Sequence, residues 1–266
     1  MRSSDFFDTH PVFTHGEFVA EHTTSGQSAR TSDSLLRRYV ATGRLLRIRR
    51  GVYAVVPRGT TQATAPFDPY LVVTKLTEDA AVAYHSALAF HGKAYSLSRR
   101  FHYLTRDRAR PFAFRGSEFV PVQAPVSLRD LPDLGGGIRT LTHAGGVVRV
   151  TTLERTLVDV LDAPDKGGGW EEIWRSLELV DFFDLDALIE YASKLGTAVT
   201  CARVGFFLEQ HREALMVEDV HLARLKALAP NEPRYFDPKR RPGKLVAAWN
   251  LVVPEQVVDR SWEELL

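Results

Sequence analysis

The sequence predicts an α+β protein in which an N-terminal winged helix-turn-helix precedes a larger mixed α+β domain with a helical C-terminal part. Two helical segments followed by an arginine-rich β-hairpin occupy the first 60 residues. Short β-like segments punctuated by proline and glycine come next, and helical periodicity dominates the last hundred residues. A small, polar, proline-bounded stretch at residues 57–66 is a predicted linker, so the expected domains are residues 1–60 and 66–266.

The N-terminal segment begins with two predicted helices. Residues 13–21 form the first, and the polar residues 23–28 form a turn. The second starts near Ser32, with Ser32 or Asp33 as its N-cap, and ends at Gly43. At about 100° per residue its apolar side chains share one arc of about 140°. That arc holds Leu35, Leu36, Tyr39 and Val40, whereas Ser34, Arg37, Arg38 and Ala41 face the other way.

A basic β-hairpin is predicted at residues 45–56. Leu46 and Ile48 alternate with Arg47 and Arg49 before a turn at Gly51, and a second β-rich run follows. Helix, turn, helix and basic hairpin is the element order of a winged helix.

Charge is distributed unevenly although the net charge is only +1. Seven arginines and one acidic residue, Asp33, lie between residues 30 and 50, whereas eleven acidic and three basic residues lie between 154 and 190. The basic end suits a polyanion and the acidic end repels one. The predicted DNA contacts are Arg30, Ser32, Ser34, Arg37, Arg38, Arg44, Arg47, Arg49 and Arg50.

Arginine suits this role because its planar guanidinium can grip a phosphate or the O6 and N7 atoms of guanine with two hydrogen bonds. The alternative is that these arginines form the solvated face of a small packing domain. A second basic run carries Arg99, Arg100, Arg106, Arg108, Arg110 and Arg115 against a single acid, Asp107. A solvated loop or a salt-bridged face is the preferred interpretation of this run, and an extension of the DNA footprint is the alternative.

The remainder of the chain is predicted as mixed structure. An alanine-rich helix is expected at residues 78–90 with Thr77 as its cap, and another begins at the capping box formed by Thr151 and Glu154. The predicted strands are 101–104, 112–115, 119–122, 147–150 and 245–253. Further helices are predicted at 170–180, 186–195, 200–215 and 218–229, with a short helix at the end.

The sequence offers no convincing catalytic, metal or cofactor site. The glycine triplets at 135–137 and 167–169 lack the Lys-Ser/Thr pair of a phosphate-binding loop. His85 and His91 lie six residues apart and therefore point in different directions on a helix, so both are expected to be packed or hydrogen-bonded. Four acids remain as the basis of an alternative magnesium site, namely Asp181, Asp184, Asp186 and Glu190.

A soluble, cytoplasmic protein is expected. The lone Cys201 cannot form an internal disulfide, the first residues lack the apolar run of a signal peptide, and no apolar stretch approaches the ~18 residues of a membrane span.

Three motifs in order resemble the AbiEi family, the antitoxins of type IV toxin-antitoxin, abortive-infection systems. They are residues 45–53 (LLRIRRGVY), 83–92 (AYHSALAFHG) and 154–159 (ERTLVD). The likeness extends from about residue 10 to residue 180, and residues 249–254 (WNLVVP) are in keeping with it.

The resemblance implies a bacterial antiviral-defence regulator without enzymatic activity, a repressor whose winged helix binds inverted repeats in its own promoter. Its C-terminal domain would counter a nucleotidyltransferase toxin, for which direct contact is not required. We expect a monomer in solution and, because one winged helix reads one half-site, two copies on the DNA. The alternative function, motivated by the acids between 181 and 190, is a nucleic-acid-directed, metal-dependent nuclease or nucleotidyltransferase.

Overall fold

A computed structural model describes residues 3–24 and 28–262 and has the predicted α+β fold. In chain order its helices are α1 (Ser3–Thr9), α2 (His15–Thr24), α3 (Ala29–Ala41), α4 (Pro69–Val73), α5 (His85–Phe90), α6 (Val126–Arg129), α7 (Leu153–Asp162), α8 (Trp170–Leu177), α9 (Leu185–Leu195), α10 (Ala198–Gln210), α11 (Asp219–Lys226) and α12 (Glu255–Val258). Its strands are β1 (Val12–Thr14), β2 (Leu45–Arg49), β3 (Val52–Val55), β4 (Ala81–Val82), β5 (Arg100–Thr105), β6 (Phe112–Phe114), β7 (Ser117–Gln123), β8 (Ile138–His143), β9 (Gly146–Thr151), β10 (Arg234–Tyr235), β11 (Lys244–Val246) and β12 (Leu251–Val253).

The chain folds into two compact units. Unit 1 contains residues 1–82, 99–121 and 140–150, and unit 2 contains the rest. The division of the chain into domains at residues 60–66 stays a prediction.

In unit 1, the N-terminal segment has the element order and strand pairing of a winged helix. Strand β3 lies between β1 and β2 and is antiparallel to both, and helices α2 and α3 precede the β2–β3 hairpin. The first predicted helix is displaced, because Phe13 pairs with Tyr53 in the sheet and α2 begins only at His15. Helix α3 starts earlier than predicted, since Ser28 is its N-cap and accepts a hydrogen bond from the Thr31 N–H. Residues 25–27 of the predicted turn lie outside the described residues.

A cluster of aromatic rings forms the core of this segment. Phe13 and Phe18 are fully buried, and their ring centroids lie 5.8 Å apart. Phe7 stacks on Phe18 at 6.0 Å, while Leu36 of α3 and Leu45 of β2 close the cluster. Aromatic packing of this kind joins both helices to the hairpin.

Unit 1 also holds most residues of a six-stranded sheet with the order β6-β7-β5-β4-β9-β8. The prediction of one helix over 78–90 is wrong in its first half, because Ala81 and Val82 form a central strand, antiparallel to β5 and parallel to β9. Tyr84, with a φ of 57°, separates this strand from α5. Pairing on both sides overrides the helical preference of an alanine-rich sequence.

The predicted linker is tied down within unit 1. The Gln62 side-chain amide donates to the carbonyl oxygens of Val40 and Leu45 at 2.9 and 2.6 Å. From the β6–β7 turn, the Arg115 guanidinium donates to the carbonyl oxygens of Gln62 and Ala65. Residues 57–66 are therefore fixed to α3, to β2 and to the sheet.

Unit 2 is mainly helical, as predicted, and its three-stranded sheet has the order β10-β12-β11. Helix α7 is capped by Thr152, which accepts from the Arg155 N–H, so the cap falls one residue after the predicted Thr151. Buried Arg155 pairs with Asp159, to which the Tyr191 hydroxyl donates at 2.7 Å.

The two histidines at the start and just past the end of α5 are hydrogen-bonded, as predicted. His85 Nε2 lies 3.0 Å from Glu172 Oε1, and His91 Nε2 lies 2.8 Å from the Thr151 carbonyl oxygen. The Glu172 carboxylate also accepts hydrogen bonds from the Ser96 N–H and from the Ser176 hydroxyl. Burial alone would raise the pKa of Glu172, but the hydrogen bonds from His85 and Ser96 outweigh it and lower that pKa to about 2.

Gly205 of α10 offers a direct test of the packing in unit 2. A Cβ at this position would overlap the Trp249 ring, so we expect Gly205→Ala to lower the free energy of unfolding by about 1–3 kcal/mol. Gly16→Ala is the matched control, since the nearest neighbour of its Cβ would be 3.8 Å away. Denaturant titration of both variants measures the difference. Equal stability of the two would contradict the close approach of α10 to Trp249.

Candidate nucleic-acid interface

One face of α3 is exposed and basic. Arg30, Ser34 and Arg37 are spaced by four and three residues and therefore lie on the same face, with Arg38 beside them. All four are exposed, whereas Leu36 is buried on the opposite face. The arrangement displays cations away from the core, as the sequence predicts.

Ser32 is a correction to the predicted contact set. Its side chain is fully buried, and its hydroxyl donates to the Ser28 carbonyl oxygen at 3.3 Å. Ser32 lies four residues before Leu36 and so shares its inward face. It cannot contact DNA without disrupting the helix.

Ser34 keeps its place on the outward face, but its hydroxyl is engaged locally. It donates to the Arg30 carbonyl oxygen at 3.1 Å, four residues earlier in the helix. In this rotamer the oxygen remains available as an acceptor, and rotation of the hydroxyl would free it as a donor to a base edge or phosphate.

The β2–β3 hairpin presents three further arginines. Arg47, Arg49 and Arg50 are exposed while Ile48 between them is buried, and the pairing register shifts between Arg47 and Arg49. Gly51 has a φ of +81°, which a tight turn at the tip requires. Its carbonyl oxygen accepts from the His15 N–H at 2.8 Å, so the tip is attached to the start of α2.

Arg44 is exposed but has a packing role as well. Its guanidinium lies over the rings of Phe7 and Tyr39, at 5.3 and 5.1 Å from their centroids. The charge is thereby held over the aromatic core, between α1 and α3.

The hairpin arginines adjoin the edge of the six-stranded sheet. The Arg49 guanidinium lies 5.1 Å from the centroid of Phe112 in the edge strand β6. No local signal in the sequence indicates this contact, because the two residues are distant along the chain and only the fold brings them together.

The second basic run contains arginines that hold other parts of unit 1 and arginines on an exposed loop. Arg100 Nε lies 2.8 Å from Glu118 Oε2, and Arg115 holds the linker. Arg106, Arg108 and Arg110 are exposed on the loop between β5 and β6.

Asp79 fixes the base of that loop. Its carboxylate accepts from the Thr105 hydroxyl at 2.6 Å and from the Arg106 N–H at 2.7 Å. Burial by itself would raise the pKa of Asp79, but these bonds and one from Thr77 outweigh it, so the pKa lies below its usual range. The sequence pattern predicts that Asp79 lies in the first turn of a helix, and it does not predict its hydrogen bonds to Thr105 and Arg106.

The acids of the alternative magnesium site are engaged elsewhere. Asp184 is the N-cap of α9 and accepts from the Ala187 N–H at 3.0 Å. The other three each pair with a cation: Asp181 with Lys93, Asp186 with Arg224 and Glu190 with Lys194. Among the described residues no group of three or more histidine, cysteine, aspartate or glutamate side chains is placed to hold a metal ion.

The fold and the exposed arginines of the N-terminal segment agree with a comparison against known families. Residues 1–56 match the AbiEi_4 family model, described as "Transcriptional regulator, AbiEi antitoxin". The predicted resemblance to AbiEi regulators is therefore confirmed for this segment. The motifs at 83–92, 154–159 and 249–254 lie beyond the matched residues.

A solved structure shares the overall fold. The chain is similar to the RV2827C protein from Mycobacterium tuberculosis with a TM-score of 0.54 and 21% identity, covering 93% of this chain and 87% of that one. No curated protein sequence matches the chain. Within the described residues, none of the helices has the length and apolar character needed to cross a membrane.

Asp79→Asn tests the loop anchor. The asparagine amide has one acceptor oxygen, so either the Thr105 hydroxyl or the Arg106 N–H would lose its acceptor. We therefore expect the free energy of unfolding at pH 7 to fall by about 1–3 kcal/mol. Because folding lowers the pKa of Asp79, its contribution is present above the unfolded pKa and disappears as pH falls through the folded value.

The difference between wild type and Asp79→Asn should therefore shrink as the solution is acidified towards about pH 3, below the ordinary pKa of an aspartate. Denaturant titrations across this range measure it. A difference independent of pH would contradict the assignment of an ionised, hydrogen-bonded carboxylate.

Proposed function

We propose that this protein is a DNA-binding repressor and the antitoxin of a type IV toxin-antitoxin system. It binds inverted repeats in its own promoter, counters a nucleotidyltransferase toxin, and has no enzymatic activity of its own. The observation that carries the proposal is the row of exposed arginines on α3 and the adjacent hairpin, in a segment that matches AbiEi regulators.

Helix α3 is the proposed recognition helix. Arg30, Ser34 and Arg37 would face base edges in the major groove, and Arg38 would contact a flanking phosphate. Each guanidinium can form two hydrogen bonds to guanine or to a phosphate, which gives both affinity and register.

The β2–β3 hairpin is the proposed wing. Arg47, Arg49 and Arg50 project from a short, tightly turned tip that is tied to α2, so they can contact phosphates beside the groove occupied by α3. Arg44 would contribute positive potential from its place over the aromatic rings.

Two copies are proposed to bind the two halves of an inverted repeat, because one recognition helix reads one half-site. The protein would be a monomer in solution and cytoplasmic. Antitoxin action is assigned to the C-terminal part of the chain and does not need direct contact with the toxin.

Arg37→Ala/Arg38→Ala tests the DNA-binding proposal. Alanine preserves the helix, and both side chains are exposed, so the fold should be retained. We expect affinity for a promoter fragment to fall at least about tenfold, and the slope of log K against log salt to fall by about 0.9, because Arg38 no longer neutralises a phosphate. Fluorescence anisotropy over a salt series measures both quantities.

Arg234→Ala/Arg240→Ala is the matched control, since it removes the same charge from exposed positions of unit 2. Wild-type affinity is expected for this control. Absence of promoter binding by the wild type, or equal losses in the two variants, would overturn the proposal.

Co-expression with the toxin tests the second half of the proposal. If the antitoxin activity is separate from DNA binding, Arg37→Ala/Arg38→Ala should still restore growth of cells that express the proposed nucleotidyltransferase toxin. Growth curves compare wild type, variant and empty vector. Failure of the wild type to restore growth would refute the antitoxin role.

A further inference from the structure

The loop between β5 and β6 carries a dense positive charge that the proposed winged helix does not use. Residues 106–111 contain three arginines and a single acid, Asp107. The side chains of Arg108 and Arg110 are exposed, and among the described residues neither forms an ion pair or a hydrogen bond. Like charges so close together repel one another, so a polyanion would stabilise this conformation.

The loop is held at both ends. At its start the Asp79 carboxylate binds the Thr105 hydroxyl and the Arg106 N–H, and the Asp107 N–H donates to the Thr105 hydroxyl at 3.1 Å. At its end Phe112 enters β6 and pairs with Phe119 of β7. An anchored loop loses less conformational entropy on binding than a free one.

The far end of the loop lies beside the wing. Arg49 of the hairpin stacks on Phe112 at 5.1 Å, and Arg110 precedes Phe112 by two residues. The Cα atoms of Arg110 and Phe112 are therefore at most about 7 Å apart. Because duplex DNA carries one negative charge per about 1.7 Å of its axis, a backbone that reaches Arg49 also offers phosphates to this loop.

The connection between wing and loop is rigid. Gln62 binds the end of α3 and the start of β2, and Arg115 binds the backbone at Gln62 and Ala65. The basic loop and the hairpin thus belong to one unit that would meet the duplex as a single surface.

We infer that the β5–β6 loop is a second DNA-contacting element, in which Arg108 and Arg110 bind phosphates beyond those reached by the wing. The inference rests on the proposed DNA-binding function and extends the footprint past the N-terminal 60 residues. It assigns no base recognition to the loop, because its arginines lie between two strands and not on a helix that could enter a groove. Its contribution is therefore affinity without sequence preference.

The experiment uses the full chain with Arg108→Gln/Arg110→Gln and measures anisotropy of a labelled promoter duplex and of a scrambled duplex of equal length. We expect affinity for both duplexes to fall by the same factor, roughly tenfold or more near 0.1 M salt, and the salt slope to fall by about 0.9 for each phosphate that is no longer neutralised. Arg234→Gln/Arg240→Gln removes the same charge from unit 2 and should leave both affinities unchanged.

A second measurement excludes misfolding as the cause. A duplex that carries a single half-site is shortened stepwise, once from each end. From one of the two ends, shortening should lower wild-type affinity until it equals that of Arg108→Gln/Arg110→Gln, whose own affinity stays constant over those steps. Equal length dependence in the two proteins would overturn the inference.

The outcomes for the loop and for the proposed function are distinguishable. If Arg37→Ala/Arg38→Ala weakens binding while Arg108→Gln/Arg110→Gln does not, the loop inference is overturned and the proposed function stands. If the wild type binds neither duplex, both are overturned. If the loop variant loses affinity for the promoter duplex but not for the scrambled duplex, the loop contacts bases and not phosphates, and the inference is overturned.

Discussion

The display of positive charge depends on the packing of aromatic rings beneath it. Phe13 and Phe18 are wholly buried and join the strand, the helices and the hairpin of the N-terminal segment. Leu36 ties α3 to this cluster and Leu45 ties β2 to it. Because these contacts set the relative positions of α3 and the β2–β3 hairpin, the proposed recognition helix and wing would present their arginines to DNA together.

The same principle extends beyond the winged helix. A stretch that looks like a linker in sequence is fixed by Gln62 and Arg115, and Arg49 stacks on Phe112 of the six-stranded sheet. These contacts cost side-chain entropy once, on folding, so that little would remain to be lost on binding the proposed DNA partner. The contact of Arg49 with Phe112 brings the hairpin next to the strand into which the β5–β6 loop leads.

Much of this arrangement follows from sequence pattern. The alternation of apolar residues with arginines predicted the β2–β3 hairpin correctly. Helical spacing correctly predicted that Leu36 of α3 faces the core and that Arg37 faces outward. The assignment of Ser32 to the DNA face was wrong because α3 starts at Ala29, with Ser28 as its cap. The start of a helix is hard to predict from sequence when several neighbouring Ser, Thr and Asp residues could each be the cap.

Long-range pairing accounts for the rest. Ala81 and Val82 have the composition of a helix but form the centre of a sheet, because β5 and β9 supply hydrogen bonds on both sides. Likewise, nothing near Asp79 in the sequence indicates that it anchors Thr105 and Arg106. Contacts of this kind depend on the assembled fold, which local propensity does not encode.

We propose that α3, the wing and the β5–β6 loop form one DNA-binding surface. Amide hydrogen exchange of the full chain, measured with and without a promoter duplex, tests this proposal. We expect slower exchange at residues 29–41, 45–52 and 106–111 on addition of DNA. Slowing confined to unit 2, or no change in any of these segments under saturating DNA, would contradict it.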